Sequence, residues 1–264
     1  MLGTTPTVGK KIGLDVHVND DDDGGDRDTK IMWFGTRDIA WQQPSAFGTA
    51  ELAGLVGWWK LDEKEGRTAA DSSGNGHRAT VHGNPQWQPS GGKIGGAIAL
   101  DGKGAFLEVA DESAFDADAG VTVAAWINAK ALDKPWQALV TKGDSAWRIQ
   151  RNNETSTLEF ACTGLHIPNG NEYGSLFGKK SIGVGEWHHI AGVYDGKKMY
   201  LYVDGALDVS QEAWGPIGAD DHPVLIGENG QVPNRFWNGL IDEVRVYNYG
   251  LAEGQIQPLY REGK

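Results

Sequence analysis

The stretch His188-His-Ile-Ala-Gly-Val-Tyr194, Asp195-Gly196, Lys198-Met-Tyr-Leu-Tyr-Val203, Asp204-Gly205 reads as two β-strands, each closed by an Asp-Gly turn. The runs are rich in Ile, Val and Tyr, which suit a pleated surface, and glycine supplies the positive φ that a tight hairpin needs. Working outward, Asp101-Gly102 closes another apolar run in the same way. Further candidate strands lie at 56–61, 97–101, 106–109, 121–128, 138–142, 147–151, 158–161, 224–226 and 240–247. Only 252–260 has a helical pattern, and Gly254 and Pro258 keep it short. Short strands punctuated at regular spacing predict an all-β chain folded as a two-sheet antiparallel sandwich.

The composition agrees and narrows the function. Among 264 residues there are 38 glycines and 11 tryptophans, a turn-rich and aromatic chain. With 24 Lys and Arg against 36 Asp and Glu the formal charge is −12, which argues against nucleic acid as a partner, and against acidic glycans and anionic membranes. The lone Cys162 excludes an internal disulfide and a cysteine metal cluster, and on a strand it reads as a small core residue. The chain shows no apolar leader region and no run of 18 apolar residues, so neither a signal peptide nor a membrane span is expected within it.

The first 52 residues differ in texture. Ile12, Leu14, Val16 and Val18 alternate with Asp15 and His17, a period-two strand that ends in the acidic run 19–28. A second strand is expected at 30–35, followed by a loop at 41–48, so this part reads as a β-hairpin extension. Asn19, Asp21, Asp23 and Gly24 occupy four positions of an EF-hand loop, but the twelfth is Lys30 where a bidentate Glu is required, which favours a solvated turn.

Several segments together carry a family likeness. Trp58-Trp-Lys-Leu-Asp62, Asp71-Ser-Ser-Gly-Asn-Gly76, Gly95-Gly-Ala-Ile-Ala-Leu-Asp-Gly102, Val121-Thr-Val-Ala-Ala-Trp-Ile127, Glu186-Trp-His-His-Ile190 and Gly239-Leu-Ile-Asp-Glu-Val-Arg-Val-Tyr-Asn248 occur in order. The region from about 53 to 260 resembles the laminin-G-like (concanavalin A-like) jelly-roll domains common in bacterial extracellular proteins. Residues 1–52 resemble the closing strands of family 9 carbohydrate-binding modules, about a third of such a module. The resemblance implies an incomplete module at 1–52, a jelly roll at 53–264, an origin in a larger multidomain protein, and an extracellular or cell-surface location. Fold does not settle function here, since such sandwiches host lectins, adhesion modules, glycosidases and lyases.

Candidate sites follow from residue types. Strict alternation in Leu240-Ile-Asp-Glu-Val-Arg-Val-Tyr247 puts Asp242 with Leu240, Val244 and Val246 on the apolar side, where a carboxylate needs a cation or several donors. The Asp71-Ser-Ser-Gly-Asn75 turn is rich in the oxygen ligands that Ca²⁺ takes. In the resembling domains these segments commonly hold a calcium ion, so Asp71, Asn75 and Asp242 are expected to ligate one structural Ca²⁺; the alternative is a hydrogen-bonded turn plus a satisfied Asp. His188 and His189 are strand neighbours pointing to opposite faces, which suits structural roles.

For catalysis, no Glu-x-Asp-x-Glu strand is present, and Glu63 and Glu65 read as solvated. Glu159 and Glu172 are the one carboxylate pair worth testing, and His166, Asn169 and Tyr173 are the remnant of a lyase-like set. Trp58, Trp126 and Trp187 lie in strand motifs and read as packing residues. Trp136, Trp214 and Trp237 stand near turns, where binding residues concentrate, and Asn169 and Tyr173 sit in the long loop 166–180. These five are the expected ligand-binding residues. The expected function is a noncatalytic carbohydrate-recognition or adhesion module that takes a poly- or oligosaccharide. A glycoside hydrolase or polysaccharide lyase is the enzymatic alternative, and a spacer or protein-binding module the third.

Overall fold

The computed structural model describes residues 11–14, 17–20, 29–32, 48–51, 53–168 and 173–264. The chain divides into two compact units, Met1–Ala53 and Gly54–Lys264. In the first, β1 (Lys11–Leu14) pairs antiparallel with β4 (Gly48–Glu51), and β2 (His17–Asp20) with β3 (Thr29–Met32). The single strand expected over 12–18 is thus two, in different sheets. The acidic run 21–28 lies outside the described residues.

The second unit is a two-sheet antiparallel sandwich. One sheet runs β15 (Ser175–Phe177), β14 (Leu158–Cys162), β13 (Trp147–Arg151), β12 (Ala138–Thr141), β19 (Val224–Ile226), β10 (Phe106–Val109), β7 (Ala79–His82), β6 (Thr68–Ala69). The other runs β18 (Ala206–Glu212), β17 (Lys198–Val203), β16 (Trp187–Tyr194), β11 (Val121–Ala129), β20 (Asn238–Tyr247), β9 (Ala97–Asp101), β8 (Gln86–Gln88), and β5 (Leu55–Trp59) also pairs with β20. Both strands and turns of the opening stretch form as read, β16 pairing with β17; the second turn, with Asp204 at φ +55° and Gly205 at φ +71°, leads into β18, which was not expected and pairs with β17.

Strand alternation sends Trp147 and Ile149, Phe160, Ile98, Ile127 and Ile241 into the core between the sheets. Gly192 is required there, because a Cβ would lie 2.3 Å from Phe160 Cδ2. The outer face of the second sheet carries α1 (Glu253–Arg261), whose Ile256 packs with Leu251 against Ala124, Ala191 and Tyr202.

One irregularity changes a sequence expectation. On β11 two steps separate Ala124 from Trp126, but on β20 three separate their partners Arg245 and Asp242. The extra residue is Glu243, at φ +53°, and this bulge inverts the side-chain phase. Asp242 therefore shares the outer face with Arg245 and Tyr247, while Val244 and Val246 turn inward, contrary to strict alternation.

Candidate functional site

On β13, Arg148 and Gln150 alternate with the core-facing Trp147 and Ile149, which turns them to the outer face of the first sheet. Register brings Glu159 of β14 directly opposite Gln150, and Ala161 opposite Arg148; Phe177 and Ser175 of β15 continue the two rows. Although on an outer face, Arg148, Gln150 and Glu159 are buried. Loops fold over them: Gln231 accepts from the backbone N–H groups of Asp144 and Ser145, tying the 143–146 turn to the 229–235 loop.

The result is a cavity of about 450 Å³ lined by Trp136, Asp144, Arg148, Gln150, Glu159, Tyr173, Ser175, Phe177 and Arg235. Its polar side chains close a ring. Gln150 Nε2 donates to Glu159 Oε2 at 2.5 Å, and Arg235 Nη1 reaches Gln150 Oε1 at 3.2 Å and Asp144 Oδ1 at 2.9 Å. Arg148 Nε lies 3.6 Å from Asp144 Oδ1, and its Nη2 lies 3.7 Å from Glu159 Oε1. Asn229 also donates to Asp144, and Ser175 to Glu159, so both carboxylates are well supplied with donors. Arg148 Nε makes no hydrogen bond of its own. Two guanidinium groups face two carboxylates, and the ring carries no net charge.

Aromatic and strained residues rim this ring. Tyr173 is 58 % exposed and Phe177 43 %, while Trp136 is half-buried at φ +56°, a left-handed conformation that costs a bulky residue energy. Asn153, whose carbonyl accepts from the Trp136 N–H, and Asn234, beside Arg235, are left-handed too. Strain held by surrounding structure clusters where function is. Glu228 fixes the Arg235 end by accepting from the N–H groups of Asn234 and Arg235.

Of the residues expected from sequence, the structure gathers Trp136, Tyr173 and Glu159 at this cavity. Asn169 and Glu172 lie outside the described residues. Trp214 is 48 % exposed but packs at a tilt against His166, ring centroids 4.3 Å apart, and is not part of the lining. Trp237 is fully buried in the core with its indole N–H directed to Leu240 O, so it is no ligand platform. Sequence reasoning missed Asp144, Arg148, Gln150 and Arg235; the alternation of Trp147-Arg-Ile-Gln-Arg151 was the available signal for two of them.

The residues expected to hold Ca²⁺ do not fit one. Five donors already occupy the Asp71 carboxylate: the N–H groups of Trp58, Ser73, Gly76 and His77, and the Ser73 hydroxyl. Burial pushes its pKa up, but these bonds outweigh it and hold the group below the usual carboxylate range. Asn75 donates its amide to Leu55 O and Val56 O, pinning the turn to β5. Asp242 accepts from Lys93 N and Ile94 N and shares no hydrogen-bonding partner with Asp71. Among the described residues, no group of three or more His, Cys, Asp or Glu could hold a metal ion. Burial, with help from Glu243 and Asp62, pushes the Asp242 carboxyl up to about 7, so proton uptake meets part of its desolvation cost.

Comparison with known proteins places this geometry in context. No curated protein matches the chain. A model described as carbohydrate family 9 binding domain-like matches residues 1–55. Among solved structures, domain 4 of an extracellular GH43 arabinanase from Geobacillus stearothermophilus, in complex with arabinotriose, is 21 % identical with a TM-score of 0.60, over 79 % of this chain and 98 % of that one. The binding domain of Paraclostridial Mosquitocidal Protein 1 is 18 % identical with a TM-score of 0.61, over 78 % of this chain and 51 % of that one. A botulinum neurotoxin serotype D/C binding domain is 15 % identical with a TM-score of 0.57, over 80 % and 52 %. These likenesses carry the fold. The model of the concanavalin A-like lectin/glucanases superfamily matches residues 101–257, more than half of the 264, and the chain belongs to that superfamily.

Proposed function

We propose that the sandwich is a noncatalytic carbohydrate-binding module whose ligand is a neutral oligosaccharide seated in the Trp136–Glu159 cavity. The observation that carries this reading is the closed ring of Glu159, Gln150, Arg235, Asp144 and Arg148, rimmed by Trp136, Tyr173 and Phe177. Sugars present an apolar face of C–H groups and an edge of hydroxyls. Aromatic rings take the first, and fixed amide, carboxylate and guanidinium groups take the second. The ring's charge balance favours a neutral ligand over a uronic acid. Its mutual hydrogen bonds preorganise it, which lowers the cost of binding.

Hydrolysis is less well supported. A general acid must be protonated and free to donate to the glycosidic oxygen, yet Asp144 accepts from Arg235 and Asn229, Glu159 accepts from Gln150 and Ser175, and the Arg148 guanidinium lies within 4 Å of both. The likeness of residues 1–55 to a carbohydrate-binding module, and the arabinanase domain that shares the fold, support a secreted, polysaccharide-directed setting and an origin in a multidomain protein. Affinity electrophoresis through arabinan, xylan and glucan gels tests the reading: retardation by at least one polysaccharide, weakened in Trp136→Gly, is expected, and free migration through all gels, or equal retardation of the variant, would contradict it.

A further inference from the structure

A second groove lies on the opposite side of the sandwich. Gln86, Ala99, Leu240 and Asn128 are successive cross-strand partners on β8, β9, β20 and β11, so their side chains form one row. The row is on the outer face, because the alternating Ile98, Ile127 and Ile241 fill the core. The groove above it holds about 500 Å³, within the range of ligand sites. Its floor is apolar, from Ala99, Leu240 and Ala129, and Val184 forms one wall.

Two features single it out. Val184 is 58 % exposed, yet its backbone is held firmly: it bridges to Ala129, Gly185 N donates to Ala129 O, and Gly183 N donates to His188 Nε2. An apolar side chain held over an open groove is prepaid ordering for something that covers it. Around the floor stand the amides of Asn84, Gln86, Gln88 and Asn128. Among the described residues, those of Asn84, Gln88 and Asn128 make no hydrogen bond to the protein, and that of Gln86 only donates, to its neighbour Pro85 O. Each amide offers both donors and an acceptor, the complement of vicinal hydroxyls. The rim charges, Lys130 and Asp101, balance, and Asp101 is already capped by the N–H groups of Lys103, Gly104 and Ala105.

We infer that this groove is a second saccharide site, for a neutral glycan segment, read by amides over an aliphatic floor where the first cavity uses aromatic rings. The inference extends the proposed function but uses none of the same residues. Two sites on opposite faces would let one module engage two chains of a polysaccharide and gain avidity.

The test is a methyl and side-chain amide NMR titration of the full chain in a Trp136→Gly background. Arabinotriose, xylotetraose and cellotetraose are the probes, with an acetylated, amidated Thr-Val-Thr-Val peptide as control because β8 is a sheet edge. Expected are shifts of the Leu240 and Val184 methyls and the Gln88 and Asn128 amides with at least one saccharide. The fitted affinity should fall tenfold or more in Gln88→Ala/Asn128→Ala, whose spectrum also reports that the fold is kept. Overturning results are no groove shifts at millimolar saccharide, shifts with the peptide only, or an affinity indifferent to the double variant. If the groove responds while the Tyr173 and Phe177 resonances of the unsubstituted protein do not, the first cavity is the reading that fails, and this one stands.

Discussion

Gln150 and Glu159 are direct cross-strand neighbours on the outer face of the first sheet, and Gln150 donates to Glu159 at 2.5 Å while its oxygen accepts from Arg235. This one amide therefore couples the strand-borne carboxylate to the loop-borne guanidinium. Replacing it with alanine should cost about 1–3 kcal/mol, the penalty for leaving buried polar partners unsatisfied. In Gln150→Ala, thermal denaturation should show a lowered Tm, and saccharide affinity should drop with it; an unchanged Tm would mean that the ring is not closed in solution.

Trp136 separates binding from stability. Its φ of +56° suits glycine, so Trp136→Gly relieves strain of about 1–2 kcal/mol while removing packing of similar size. Tm should move little, whereas affinity should fall by roughly thirtyfold, equivalent to about 2 kcal/mol for an aromatic anchor. A large loss of Tm with retained affinity would make this tryptophan structural.

Glu159→Gln distinguishes a binding residue from a catalytic one. The substitution leaves the shape but sets an amide donor against Ser175 and Gln150, so saccharide affinity should weaken by about tenfold. Reducing-sugar release from arabinan, xylan and glucan should be at background in both proteins. Turnover by the unsubstituted chain that disappears in the variant would establish hydrolysis instead.

Asp242 and His189 set opposed pH dependences. The folded-state pKa of Asp242 is raised from 3.8 to about 7, chiefly by burial, so the folded chain binds that proton more tightly and stability falls as pH rises from about 4 to about 7. Burial, aided by Arg245, lowers His189 from 6.5 to about 4, so the unfolded chain holds that proton and stability rises with pH across about 4 to 6.5. The two offset each other until about pH 6.5, above which only the Asp242 penalty grows. Asp242→Asn, which keeps an acceptor for Lys93 N and Ile94 N, should raise Tm by at least about 3 °C at pH 8 and change it little at pH 4. Equal shifts at both pH values would contradict the raised pKa.

Chelation addresses the calcium expectation. With five donors already on Asp71 and, among the described residues, no group of three or more His, Cys, Asp or Glu able to hold an ion, EDTA should leave Tm unchanged. A Tm lowered by EDTA and restored by Ca²⁺ would return Asp71, Asn75 and Asp242 to the role of ligands.

What could be read in advance was what repeats locally. Alternation and Asp-Gly turns located β16, β17, the turns that follow them and most of the core strands, because period-two patterning is set by each strand's own residues. The short strands β6, β8 and β15 were not found, because two or three residues carry no period, and neither were β7 and β18, the latter mostly exposed or half-buried along its length. Asp242 was placed on the wrong face because one bulge residue, Glu243, inverts everything beyond it. At the cavity, Trp136, Tyr173 and Glu159 stood out by residue type and turn context. Arg148 and Gln150 carried no signal of their own beyond alternation, since the loop partners they meet, Asp144 and Arg235, are brought to them by the tie of the 143–146 turn to the 229–235 loop. Trp237 stood near a turn but fills the core, a distinction that local sequence does not encode.

Occupancy of the Trp136–Glu159 cavity by a neutral oligosaccharide can be measured as heat. Calorimetric titration of the unsubstituted chain and of Trp136→Gly with arabinotriose, xylotetraose and cellotetraose tests it most directly. Saturable exothermic binding of at least one of them, weakened about thirtyfold or reduced to the groove's contribution alone in the variant, is the predicted result. No heat from any of the three, or the same affinity in both proteins, would contradict it.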